Sequence, residues 1–281
     1  MTSHDSLVLR AAGRPVGRYV TRPDLPARLA PRPYLHPVTT LAGTPVTEVG
    51  PADHAHHLGV GVAVPDVEGH NFWGGRTFVR DQGPTELDNH GVQRHTGFQL
   101  CDPDGFVEEL RWAAGGTELL RERRTVAATG LTEAAWALDF TFSLTNVTPG
   151  PLSLGSPATN GRPGAAYGGF FWRARKESRP PEVFTADREG ETEVHGTRAD
   201  WLALAGAGWT LAFAGATGDT RRDPWFVRAA EYPGVGSSLA HTERLTVAPG
   251  ETVVRRIVTV VADGRPARDE LAALVRKAVA Q

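Results

Sequence analysis

Cysteine is almost absent from this chain: Cys101 stands alone, so no internal disulfide framework can form, and the usage fits a reducing compartment. Lysine is nearly missing too, with Lys176 and Lys277 the only two, and arginine carries the remaining positive charge. The formal net charge of −2 gives no broad basic field, which argues against nucleic acid as a partner. No apolar run approaches the roughly 18–20 residues that span a bilayer, so no membrane partner is expected. The opening Met1-Thr2-Ser3-His4-Asp5 lacks the basic and then apolar pattern of a secretory signal, and the expected location is the cytoplasm. No Gly-x-Gly-x-x-Gly run opens a helix, and neither a Walker A run nor a Gly-x-Ser-x-Gly elbow occurs. No cofactor is therefore expected, and Cys101 has no partner that would make it a nucleophile.

What is present is a β pattern. Short alternating runs separated by Gly, Pro and Asp recur at Ser6–Arg10, Val16–Val20, Gly59–Val64, Phe106–Ala113, Glu118–Ala128, Ala134–Asn146, Trp201–Ala207, Thr210–Ala214 and Val253–Val261. The period of two puts Trp136, Leu138, Phe140, Phe142 and Leu144 on one face. Pro149–Pro181 and Asp219–Ser238 are rich in Gly, Pro and aromatics and read as long, ordered, functional excursions. A terminal helix is expected over about 268–279, with Leu271, Leu274, Val275 and Ala278 on one stripe, acids early and bases late. No linker or repeat divides the chain, and the expectation is one all-β domain over residues 1–281.

The densest chemistry is Asp53-His54-Ala55-His56-His57, with His70-Asn71-Phe72-Trp73 close behind. In a strand, His54 and His56 would share a face, as a cupin metal site requires. The glutamate that such a site needs four or five residues later is missing, since Val60 and Gly61 occupy those positions. A metal site completed by His70, His90 or His95, and hence a metal-dependent hydrolase or lyase, stays open as an alternative. As an acid–base site, Asp53 would orient a histidine by accepting its Nδ1–H, and His54, His56 or His57 would exchange the proton with His95 assisting. The bland alternative is that Asp53 caps a turn and the imidazoles bond backbone carbonyls.

Trp73, Tyr167, Trp172 and Trp225 sit in Gly- or Pro-rich contexts and are candidates for stacking on sugar faces, against the plainer reading that they plug the core. Trp112, Trp136, Trp201 and Trp209 lie in strand-like runs and are assigned to the core. Arg162, Arg173 and Arg228 adjoin the aromatic loops, and a guanidinium fork suits a carboxylate, phosphate or diol.

The run Arg32-Pro33-Tyr34-Leu35-His36-Pro37-Val38 resembles, together with the histidine motif, a family of uncharacterised bacterial proteins designated DUF6807 or "PmoA family". So do Gly168–Arg173, Asp223–Arg228 and the stretch from His241 to Glu251. The resemblance runs from about Arg32 to Gly264. The second family name implies a methane monooxygenase subunit, an integral membrane protein, which the lack of any spanning segment excludes. The chain is also similar to the galactose mutarotase-like supersandwich, which implies two large, mainly antiparallel sheets with a pocket on one face. It implies a sugar or oxidised sugar as substrate and a histidine–carboxylate pair as the chemistry, by epimerisation or by elimination and hydration. On that footing Glu231 or Glu243 supplies the carboxylate, and His36, His70, Trp73, Arg173, Trp225 and Arg228 hold the substrate. A non-catalytic carbohydrate-binding module is the rival. Self-association as a homodimer stays open.

Overall fold

The structure is a computed structural model that describes residues 6–281. The Met1–Asp5 stretch, on which the lack of a leader was read, lies outside the described residues. Strands dominate because β-branched and aromatic residues alternate with small or polar ones along most of the chain. Most of them assemble into two large antiparallel sheets, beside a small three-stranded sheet and a two-stranded one. The first has seven strands, in the order Ser6–Ala11, Arg14–Val20, Tyr34–Val38, Val60–Ala63, Gly169–Arg173, Gly234–Ser237 and Trp225–Arg228. The second has eight, in the order Glu182–Phe184, Leu202–Ala205, Trp209–Gly215, Thr252–Asp263, Ala135–Asn146, Thr117–Thr132, Gly105–Ala114 and Val92–Asp102. This is the expected all-β supersandwich.

Inward side chains of both sheets meet in one core. Trp136, Leu138, Phe140, Phe142 and Leu144 all lie in it, as the period of two requires. The helix Arg268–Val279 covers the outer face of the second sheet, laying Leu271, Leu274, Val275 and Ala278 against Trp201, Ala203, Ala212 and Val258. Among the described residues no helix is long and apolar enough to cross a membrane.

Two expectations change here. Neither Pro149–Pro181 nor Asp219–Ser238 is a pure excursion, because the former contributes one strand to the first sheet and the latter two. Gly169–Arg173 is an interior strand of that sheet, with Phe170 and Trp172 in the core and Phe171 on the outer face. In Trp225–Arg228, likewise, Trp225 points into the core and Phe226 out.

Candidate functional site

The outer face of the first sheet carries a second apolar group, formed by Trp73, Phe171, Phe226 and Tyr232 with Tyr167 packed against it. Four loops converge over it and enclose a cavity of about 410 Å³, within the roughly 300–1,000 Å³ typical of small-molecule sites. His56, His57, Trp73, Tyr167, Phe226 and Tyr232 line its apolar part, while Asp53, Arg76, Glu86, Arg162, Arg228 and Glu231 supply its charged groups.

The histidine run is not a strand. It is the tip of a loop closed at its base by Gly59 N–H donating to Glu48 O at 3.0 Å and Gly50 N–H to His57 O at 2.8 Å. Successive turns, with His54 N–H on Pro51 O and His57 N–H on His54 O, both at 2.9 Å, fold the tip on itself. All three imidazoles therefore come together, with ring centroids 4.6 Å apart for His54–His57, 4.8 Å for His56–His57 and 6.0 Å for His54–His56. The expected sharing of a strand face by His54 and His56 is replaced by this closer cluster.

Trp73 is placed by Asn71, whose Oδ1 accepts from the N–H groups of Trp73 and Gly74, each at 2.8 Å. Glycine is required next. Gly74 and Gly75 have φ of 99° and 70°, and a Cβ on Gly75 would stand 2.9 Å from the His56 ring. Arg32 ties this loop to the histidine loop. Its buried guanidinium donates from Nη2 to His56 O at 2.7 Å and from Nη1 to Trp73 O and Ala30 O, each at 3.0 Å. Burial, and then the Arg124 guanidinium, push the pKa of Arg32 down, and the converging carbonyls offset that penalty.

Burial sets the protonation of the floor. Desolvation, with Arg32 adding to it, pushes His56 down to about 3, and desolvation with the neighbouring imidazoles pushes His57 lower still. Burial raises the phenols of Tyr167 and Tyr232. At neutral pH the floor is thus uncharged, two imidazoles facing two protonated phenols.

His57 is 2% exposed and boxed by aromatic rings, with Tyr232 at 5.0 Å, Phe171 at 5.2 Å and Trp73 at 5.8 Å. Its Nδ1 has no hydrogen-bond partner. Neither has His54 Nδ1, which Asp53 Oδ2 approaches to 3.2 Å without hydrogen-bond alignment. The third such atom is Arg173 Nη1, while Nε and Nη2 of the same guanidinium hold Glu48 Oε2 at 3.0 and 2.7 Å. The His54 ring, the His57 ring and Arg173 Cζ lie 4.8, 5.0 and 4.8 Å from the Tyr232 ring centroid. The groups packed around this one tyrosine thus carry two buried nitrogens without a partner, His57 Nδ1 and Arg173 Nη1, and a third, His54 Nδ1, that faces Asp53. Among the described residues no three His, Cys, Asp or Glu side chains are arranged to hold a metal ion.

Of the residues expected from sequence, Asp53, His54, His56, His57, Trp73, Arg162, Tyr167, Arg228 and Glu231 line the cavity. Arg173 lies fully buried, its guanidinium over the Tyr232 ring. The others lie elsewhere. Trp225 is 3% exposed in the core and donates from Nε1 to Ala199 O. Trp172 is likewise a core residue. His36 bonds Thr47 Oγ1 at 3.0 Å, and His70 is not among the residues lining the cavity.

His95 belongs to a separate polar cluster inside the sandwich. Its Nδ1 meets Glu108 Oε1 at 2.6 Å, Glu108 also takes the Tyr19 hydroxyl, and Arg124 bridges Tyr19 to Glu122. His95 is not among the residues lining the cavity. Glu243 is not a lining residue either. Phe226, Tyr232, Arg76 and Glu86 were not expected. For Phe226 a signal existed, because reading Trp225–Arg228 as a strand turns Phe226 outward once Trp225 turns inward.

The structural comparisons are distant. An α-galactosidase from Lactobacillus brevis aligns with a TM-score of 0.46 and 11% identity, over 96% of this chain and 40% of the other. A mutant of a heparan sulfate lyase from Pedobacter heparinus aligns with a TM-score of 0.33 and 11% identity, over 63% of this chain and 22% of the other. The chain thus spans well under half the length of these proteins. No protein of curated function is similar enough in sequence to count as a relative. Residues 6–276 match the model of a family of unknown function, DUF6807, and the chain belongs to that family.

Proposed function

We propose that this protein binds one sugar unit in the cavity over the first sheet and acts on it by acid–base catalysis. The supporting observation is the pair of buried nitrogens without partners beside Tyr232, at His57 Nδ1 and Arg173 Nη1, with His54 Nδ1 next to them facing Asp53. A buried polar atom left unbonded costs roughly 1–3 kcal/mol, and a polyhydroxylated ligand offers both donors and acceptors to relieve that cost. The aromatic floor suits the apolar faces of a sugar ring. The charged lining balances, with Asp53, Glu86 and Glu231 against Arg76, Arg162 and Arg228, which favours an uncharged sugar over a polyanion.

The chemistry follows from an uncharged floor. A neutral imidazole accepts a proton and a protonated phenol gives one. In the simplest reaction His57 takes the proton of the anomeric hydroxyl, and the bond from the anomeric carbon to the ring oxygen breaks. The electron pair leaves on the ring oxygen, which takes the Tyr232 proton, and closure from the other face inverts the anomeric centre. The second reading, binding without catalysis, is favoured by one observation: burial makes His56 and His57 weak bases.

A melting-temperature screen against neutral monosaccharides, sugar acids and 3-keto-sugars tests the binding. A ligand at a hundred times its Kd adds about 2.7 kcal/mol, or roughly 5–10 °C at about 2–4 °C per kcal/mol. Magnetisation exchange between the two anomers, and uptake of deuterium from heavy water, then test for turnover. Turnover that His57→Asn or Tyr232→Phe abolishes supports catalysis. A melting shift without exchange leaves the binding reading, and no shift with any sugar refutes both.

A further inference from the structure

The two loops on the far side of the cavity are joined by a residue that the proposed chemistry does not use. His195 follows the short helix Glu191–Val194, whose Val194 is buried in the core. His195 Nε2–H donates to Gly164 O at 2.9 Å, on the loop that carries Arg162 and Tyr167 into the cavity. Its Nδ1 accepts from Val227 N–H at 3.3 Å, on the strand that carries Phe226 and Arg228. The same ring stands edge-on to Phe226, with centroids 5.2 Å apart.

We infer that His195 is a positioning residue that clamps these two walls to each other and so fixes the width of the sugar cavity. Two further contacts belong to the clamp. Arg228 Nη2 donates to the same Gly164 carbonyl at 3.0 Å. Glu191 Oε2 accepts from the N–H groups of Ala229 and Ala230, at 2.8 and 3.0 Å, and so holds the start of the loop that carries Glu231 and Tyr232. Every one of these partners is a backbone group of a cavity wall, so the clamp sets where the walls stand rather than what they bear.

One bond donates and the other accepts, so the clamp works only with a neutral ring protonated on Nε2. A hydrogen on Nδ1 would face the Val227 N–H, donor against donor. The groups around the ring agree with that state. Burial first, then Arg228 and His241, disfavour the charged form, and they outweigh the Gly164 carbonyl and Glu191, which favour it. The inference rests on the cavity being the ligand site, but the clamp itself can be measured without a ligand.

The test is hydrogen–deuterium exchange of the full chain, followed over residues 158–167 and 226–232, for three variants. His195→Ala removes both bonds, and both segments should exchange roughly five- to tenfold faster, the factor expected from one lost hydrogen bond. His195→Gln keeps a donor near the Nε2 position and should loosen mainly 226–232. His195→Asn keeps an acceptor near the Nδ1 position and should loosen mainly 158–167. A residue that merely supported its own turn would give the same pattern in all three variants. That result, or unchanged exchange of either segment in His195→Ala, overturns the inference. Protection of the two segments by D-glucose or D-galactose, used as probes, is a separate arm. Its failure counts against the sugar reading, and the clamp is still decided by the variant pattern.

Discussion

Replacing Arg32 by methionine should uncouple the two loops that build the histidine side of the cavity. Arg32 is 4% exposed and makes no salt bridge among the described residues. Its charge is met by carbonyls, at 2.7 Å for His56 and 3.0 Å for both Trp73 and Ala30, with a longer contact of 3.3 Å to Leu29. Bonds to a charged donor are worth about 1.5–3 kcal/mol each, so the three short ones represent roughly 4.5–9 kcal/mol gross. Methionine also removes the burial penalty of the cation, several kcal/mol, and leaves a net loss of about 2–4 kcal/mol.

At about 2–4 °C per kcal/mol the melting temperature should fall by roughly 4–16 °C. Urea unfolding measures the free energy, and hydrogen exchange over residues 53–57 and 71–76 reports on the two loops. Arg32→Lys keeps the charge but reaches fewer of the carbonyls, and should fall between wild type and Arg32→Met. The reasoning fails if Arg32→Met unfolds within about 1 kcal/mol of wild type with both loops equally protected. The carbonyls of His56 and Trp73 would then have other partners, and the guanidinium would not be what joins the loops.

Gly75→Ala should lose the sugar-dependent melting shift and about 1–2 kcal/mol of stability, because φ is 70° and the added Cβ meets the His56 ring at 2.9 Å. Gly208→Ala, at φ 90° with open space around it, should cost a similar amount and keep the shift; equal effects on binding would refute the steric argument. A second expectation concerns acid. His56 is held near 3 in the folded protein, below its ordinary value of about 6.5, so the unfolded chain binds protons first and stability falls as pH drops through that window. Urea unfolding from pH 7 to pH 4 should show a shallower loss in His56→Gln, and parallel slopes would sink the claim.

Alternation made the second sheet legible, because its strands bury one face against the other sheet and leave parts of the outer face polar. In Ala135–Asn146 the inward residues are large and apolar while Thr141, Ser143 and Thr145 look outward, so burial can be read residue by residue. Gly169–Arg173 defeats the same rule because it is buried on both faces, by the core on one side and by the cavity floor on the other. Aromatics at consecutive positions then look like a loop of exposed rings. The proximity of charged groups was harder still. His95 meets Glu108 across strands whose register shifts between His95 and Gly97, and a bulge of that kind leaves no spacing in the sequence to read. The histidine run was visible as a cluster, but its geometry depends on two turns and on Arg32, more than twenty positions away.

Around Tyr232, which buried atoms lack partners matters as much as how many. Elsewhere among the described residues the unbonded buried atoms are Thr21 Oγ1, Ser238 Oγ, Thr259 Oγ1 and His70 Nδ1. Three of these are hydroxyls, which rotate about a single bond and can find an acceptor with little disturbance. The nitrogens around Tyr232 have no such freedom. The His57 ring is fixed by aromatic neighbours on several sides, and Arg173 is pinned by two bonds to Glu48. Turning either group to satisfy its free nitrogen would break contacts already made. The fold thus holds rigid, unsatisfied polar groups beneath a cavity whose charges cancel, an arrangement that lowers stability unless something binds there. A purely structural patch would gain from replacing His57 with an apolar residue. His57→Phe should therefore stabilise the ligand-free protein while abolishing any sugar-dependent shift, and a variant that is less stable and still binds would mean that the imidazole serves the fold and not the ligand.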